Sequence, residues 1–177
     1  MTQVSSRTEA QRALSTEIQA WKAERLVSWS LDEFDAWGLS YLLPRTSCAS
    51  FDAKTTTPSS FSRLCAKAHL GITTVDYGIV NTGTLAIATN ARRPRAVSLL
   101  PAVHVALVRE SQLVDRLGQA FTAYRQQGKL GASNIHFITG PSRTSDIEND
   151  LSIGVHGPAV VSVILWLDIS APAQGAR

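Results

Sequence analysis

Val103-His104-Val105-Ala106-Leu107-Val108 is a run of six residues, apolar at every position but one. A strand with one face in water alternates polar and apolar side chains, so a continuous apolar run bounded by turns reads as a strand covered on both faces. Val160 to Leu167 has the same texture, and Leu85-Ala86-Ile87-Ala88 and Ile135 to Thr139 are shorter versions of it. Between them, Ser111 to Gln127 carries Leu113, Leu117, Phe121 and Tyr124 on a predicted helical face and stops at Gly128. A short helix is predicted near Ser145 to Leu151. Buried strands alternating with helices predict an α/β protein with a largely parallel sheet.

Upstream of Gly71 the pattern is helical. Leu14, Ile18 and Trp21 share one face and predict a helix from about Thr8 to Leu26. Ser30-Leu31-Asp32-Glu33 is a capping box, with Trp29 and Phe34 placed for a hydrophobic staple and Gly38 as a stop. Pro44 to Ser60, rich in Ser, Thr and Ala, reads as a loop. The helix after it places Phe61, Leu64, Cys65 and Ala68 on one face, with Cys65 as a small buried hydrophobe. The expected organisation is one domain over 1–177: an N-terminal helical and loop part, 1–70, and a motif-bearing α/β core, 71–168.

The chain has 17 Lys and Arg against 14 Asp and Glu, a net charge of +3. Residues 71–130 hold seven of the basic residues and three of the acidic ones. Such an excess attracts anions but is too thin to argue for nucleic acid. Cys48 and Cys65 stand 17 positions apart with no C-x-x-C, which excludes a self-contained thiolate cluster and fits a reduced cytoplasmic chain. Met1 to Gln11 is polar, so no secretory signal is expected, and the longest apolar run is too short to span a bilayer. No metal or other cofactor is expected.

Three polar clusters carry the candidate chemistry. In the first, Asn81-Thr82-Gly83-Thr84 can turn several N–H groups and hydroxyls toward one anion, or can simply be the turn before the strand at Leu85. In the second, Gly140, Ser142, Arg143, Thr144, Asp146 and Glu148 leave a strand and open the predicted helix, where free N–H groups and an Arg fork favour an anion. Ser145 and Glu148 also form a capping box, which gives Glu148 a structural alternative. The third, Gly154-Val155-His156-Gly157-Pro158, puts His156 in a tight turn, either titrating near neutral pH or fixing the loop. His104 and His136 fall inside strands, and His69 has no evident partner. Arg92-Arg93-Pro94-Arg95 reads as a solvated loop, with a binding patch as the alternative.

Taken together, Gly71-Ile72-Thr73, Thr82-Gly83-Thr84, Ser98-Leu99-Leu100-Pro101-Ala102-Val103-His104, Phe137 to Thr144 with Asp146-Ile147-Glu148, and Gly154 to Pro158 occur in the order found in one family. They resemble the LutC-type lactate utilization proteins, the LUD-domain family, over about Gly71 to Leu167. The resemblance implies a three-layer sandwich similar to the NagB/RpiA/CoA-transferase-like group. It also implies a part in oxidising L-lactate to pyruvate beside two iron–sulfur partner proteins. The first hypothesis is therefore an accessory component that binds a small anionic ligand or docks those partners, with neither nucleic acid nor membrane involved. Position 81 departs from the family: Asn stands where Glu is common before Thr-Gly. An amide orients by hydrogen bonding but cannot serve as base or nucleophile, so whether this chain is an enzyme stays open. The competing readings are a stand-alone enzyme of the same fold, acting on a CoA ester, sugar phosphate or related carboxylate, and a basic binding module without chemistry.

Overall fold

Six strands lie side by side, every pair parallel. In the computed structural model, residues 1–35, 40, 43, 48–52, 54–129, 134–140, 143–145, 151–153 and 157–167 are described, 143–145 and 151–153 as backbone. The first half contains β1 (Thr2–Val4), α1 (Arg7–Ala20), β2 (Leu26–Ser28), α2 (Asp32–Asp35), β3 (Cys48–Ser50), α3 (Pro58–Lys67), β4 (Leu70–Thr74), β5 (Tyr77–Ile79) and β6 (Thr84–Ala88). There follow α4 (Ala96–Leu99), β7 (Val103–Arg109), β8 (Leu113–Val114), α5 (Leu117–Gln126), β9 (Ile135–Ile138), β10 (Arg143–Ser145), β11 (Leu151–Ile153) and β12 (Val160–Trp166). The parallel sheet has the order β1-β12-β7-β4-β2-β3. The segment before Gly71 thus supplies three of its strands as well as helices.

The two faces of this sheet are covered differently. Ser162, paired with Val105, donates to Glu17 of α1 at 2.6 Å. Gly71, paired with His104, faces α4 so closely that a Cβ there would lie 2.0 Å from the Val97 carbonyl oxygen. Paired residues of a parallel sheet point to the same side and neighbours along a strand to opposite sides, so α1 and α4 lie on opposite faces. The result is a three-layer α/β sandwich. Its core includes Leu26, Leu70, Ile72, Val105, Leu107 and Ile164, all essentially without exposure.

The largely parallel sheet that the sequence leads one to expect is joined by a second, smaller sheet on the α4 side, ordered β8-β5-β6-β9. Its β5–β6 and β6–β9 pairs are antiparallel. Leu85 and Ile87 of β6 join the main core, while Ala86 and Ala88 pack with Ala120 and Tyr124 of α5. The strand is buried on both faces, which reproduces the apolar texture of a parallel strand.

Other boundaries differ from expectation for local reasons. The first helix begins at the Ser6 cap and ends at Ala20, and Leu26 is already in β2. The predicted helix from Ser111 starts instead as a 3-10 turn and β8, and only then becomes α5. Its buried face is Ala120 and Tyr124, while Leu113, Leu117 and Phe121 are exposed. Leu64 of α3 is exposed, whereas Phe61, Cys65 and Ala68 are buried. The expected helix from Ser145 to Leu151 is contradicted at both ends, because Arg143–Ser145 pairs antiparallel with Leu151–Ile153. Gly38 and residues 146–150 lie outside the described residues.

Candidate functional site

The turn from β5 to β6 holds the first cluster. Asn81, Thr82 and Gly83 are exposed, and Gly83 has a φ of 63°, a region that a residue without Cβ enters at no steric cost. Its backbone donors are partly committed: Asn81 N donates to Asp115 O at 3.2 Å and Gly83 N to Val80 O at 3.4 Å. What the turn presents instead is a chain of hydroxyls. Thr82 Oγ1 lies 2.7 Å from Thr84 Oγ1, which lies 3.0 Å from Thr139 Oγ1.

That chain brings the first and second clusters together. The register of β6 on β9 pairs Leu85 with Ile138, so the exposed Thr139 and Gly140 emerge beside the Thr84 turn. Gly140 and Gly157 have φ of 104° and 103°, with nothing within 4 Å of an added Cβ. The pairing Arg143↔Ile153 and Thr144↔Ser152 sets the backbone of the second cluster against the residues leading into the third. Since Arg143 and Thr144 are strand residues, the described residues directly after Gly140 open no helix to supply the expected N–H groups. Ser142, Asp146, Glu148 and His156 lie outside the described residues.

Beside the Thr82–Thr84 turn runs an apolar cleft of about 360 Å³. Ile79 and Leu85 line it from the second sheet, and Val108, Val163 and Leu165 from the carboxyl halves of β7 and β12. In α/β sheets, crevices outside the carboxyl ends of parallel strands are the usual ligand sites. β9, which leads into the Thr139 loop, pairs antiparallel with β6. It is β7 and β12 that bring parallel strand ends to the site.

Several charged and titratable groups have partners that no local pattern announced. Asp76, between β4 and β5, is buried: its Oδ1 accepts from Arg93 at 2.9 Å and Lys129 at 3.2 Å, and its Oδ2 from Ala88 N at 2.6 Å and Tyr124 at 3.2 Å. Arg93 also pairs with Glu33 at 2.7 Å and stacks over Trp29. Its part of the basic run is therefore an internal clamp and not a solvated loop. His69 accepts from Glu24 N at 3.2 Å and contacts Arg25 at 2.6 Å, so it does have partners.

His104 is completely buried, with Nε2 2.8 Å from Thr73 Oγ1; His136 sets Nε2 3.0 Å from Ser98 Oγ. Burial holds His104 down to about 3, aided by His136, and holds His136 down to about 4, aided by Arg95. Both rings are therefore neutral near pH 7. Burial raises both thiols, Cys65 to about 12, so neither is an activated thiolate. No metal-binding group of His, Cys, Asp and Glu occurs among the described residues, and no helix among them is long and apolar enough to cross a membrane.

The sequence model of the LUD domain matches residues 2–166, from β1 to the last residue of β12. The chain belongs to the LUD domain family. This LUD domain is 32% identical over 151 residues to lactate utilization protein C of Halalkalibacterium halodurans, covering 84% of this chain and 65% of that protein. It is 35% identical over 153 residues to the Shouchella clausii protein of the same name, covering 85% and 66%. The chain spans about two thirds of the length of these relatives. The crystal structure of a DUF162 family protein from Deinococcus radiodurans superposes with a TM-score of 0.51 at 20% identity, covering 91% of this LUD domain and 98% of that chain. That likeness shows a shared fold.

Proposed function

We propose that this LUD domain is a component of L-lactate utilization that binds a small carboxylate and docks iron–sulfur partner proteins. The supporting observation is the hydroxyl chain Thr82–Thr84–Thr139 at the mouth of the apolar cleft. Hydroxyls and the Asn81 amide suit the carboxylate of a hydroxy acid, and the cleft wall suits its methyl group. Oxidising lactate to pyruvate releases two electrons and two protons, so an acceptor is required. Two cysteines 17 positions apart cannot complete a four-thiolate cluster, which supports a reading in which the partners carry the electrons. Asn81 lacks the chemistry of a base, so the role of this chain is to bind and present. The chain works in the cytoplasm on this reading.

The test is calorimetric titration with L-lactate and pyruvate, alone and with the iron–sulfur proteins from the same cells. Asn81→Ala should weaken binding by about 1 kcal/mol, the worth of one hydrogen bond. Absence of binding under both conditions would overturn the reading. Turnover of a CoA ester or sugar phosphate by the chain alone would favour the stand-alone enzyme instead.

A further inference from the structure

A second cleft lies at the other end of β6 from the Thr82–Thr84 turn, roughly 15 Å away along five residues of strand. Its volume is about 520 Å³, within the range of small-molecule sites. Pro58, Pro94 and Leu99 give it apolar walls, and Asn90, Arg95 and Asn134 contribute polar groups. Among the described residues, no acidic side chain lines it.

The loop that forms one wall is fixed at a topological switch point. From β2 the chain steps outward to β3 and then returns to β4 on the other side of β2. In open parallel sheets ligands bind outside the carboxyl ends of the strands at such a reversal. The loop from Asn90 to Arg95 sits at that place. Ser30 N, just past β2, donates to Arg92 O at 3.5 Å, and Trp29 Nε1 donates to Pro94 O at 3.2 Å. Arg93 reaches Asp76, just past β4.

Within this fixed loop the donors divide in two. Arg93 is committed to Glu33 and Asp76, whereas Arg95 is exposed and has no carboxylate partner among the described residues. Asn90 Oδ1 accepts from Arg92 N at 2.8 Å, which leaves the amide NH₂ to donate outward. Ser98 Oγ, 3.1 Å from Arg95 O and 3.0 Å from His136 Nε2, ties the Arg95 backbone to the interior. The cleft is thus cationic, rich in donors and walled by apolar surface.

We propose that it is a second ligand site, for an organic anion with an apolar body. Arg95, Asn90 and Asn134 take the charged group, and Pro58, Pro94 and Leu99 pack against the body. The full chain is titrated with phenyl phosphate, with phenylacetate and with neutral benzyl alcohol, followed by amide chemical shifts. Saturable binding of at least one anion is expected, with shifts at Asn90, Arg95 and Asn134, and the stronger anion shows whether phosphate or carboxylate is preferred. Arg95→Ala should weaken it roughly ten- to a hundredfold, and Arg95→Lys should restore part, since an ammonium keeps the charge and loses the fork. Arg12→Ala, which removes the same charge from α1, should leave affinity unchanged. Equal affinity in Arg95→Ala, equal binding of benzyl alcohol, or no saturation by either anion into the millimolar range overturns the proposal. Because the two clefts share no lining residue, failure of lactate binding at the first leaves this result standing.

Discussion

The two buried imidazoles make the sharpest prediction at the scale of single residues. An unfolded chain takes up protons on both rings near pH 6.5, whereas the folded chain resists until about pH 4 at His136 and about pH 3 at His104. Stability is therefore full above pH 6.5, falls as the pH drops through that value, and stops falling only near the folded values. Each ring contributes a slope of up to about 1.4 kcal/mol per pH unit within that window. His136→Gln should lose less stability than the wild type between pH 7 and 5 in urea titrations. Parallel losses would show that other groups control the acid limb. Arg143 offers a different test. If its guanidinium contacts a carboxylate ligand, Arg143→Ala should lower affinity by about 1.5–3 kcal/mol and leave the melting temperature nearly unchanged. A large drop in melting temperature would make it a structural residue.

Between elements, contact distance decides which substitutions are tolerated. Gly71→Ala puts a methyl 2.0 Å from the Val97 carbonyl oxygen and 3.0 Å from Pro101 Cγ, so α4 must lift from β4. We expect about 3 kcal/mol of destabilisation by chemical denaturation. Asp76 ties the end of β6, α5, Arg93 and Lys129 to one carboxylate. Asp76→Ala should cost about 3 kcal/mol and lower hydrogen-exchange protection first in β6 and α5. Neither the carboxylate's partners nor the Gly71 contact was legible in the sequence, because Asp76 meets residues 17, 48 and 53 positions away. The strands β7 and β12 were legible, since a long apolar run has few other readings. β1, β2 and β3 were not, because three residues are too few to show a period and their conformation comes from pairing. The glycines of the motif turns were readable for the opposite reason: Gly83, Gly140 and Gly157 occupy backbone angles that other residues avoid.

For the whole molecule, the main core matters most. It joins residues of both sheets, with Leu85, Ile87 and Ile138 packed among Leu70, Val105 and Ile164. The two sheets should therefore unfold together, and far-UV circular dichroism should give the same midpoint as fluorescence, to which the buried Trp29 contributes. Two separated transitions would show that the second sheet and α5 form an independent unit. The strand order has a consequence for synthesis on the ribosome. Thr2 pairs with Ile164, and β7, an interior strand, needs β12 on its open side. When residues up to Arg109 have emerged, β2, β3, β4 and β7 can already associate, but the Val103–Arg109 edge has no neighbour. A bare apolar edge recruits other chains. Ribosome-stalled chains ending before Val160 should therefore aggregate or be held by chaperones, and chains carrying β12 clear of the exit tunnel should become protease-resistant. β1, which holds Thr2, waits until Ile164 has been made for its partner strand.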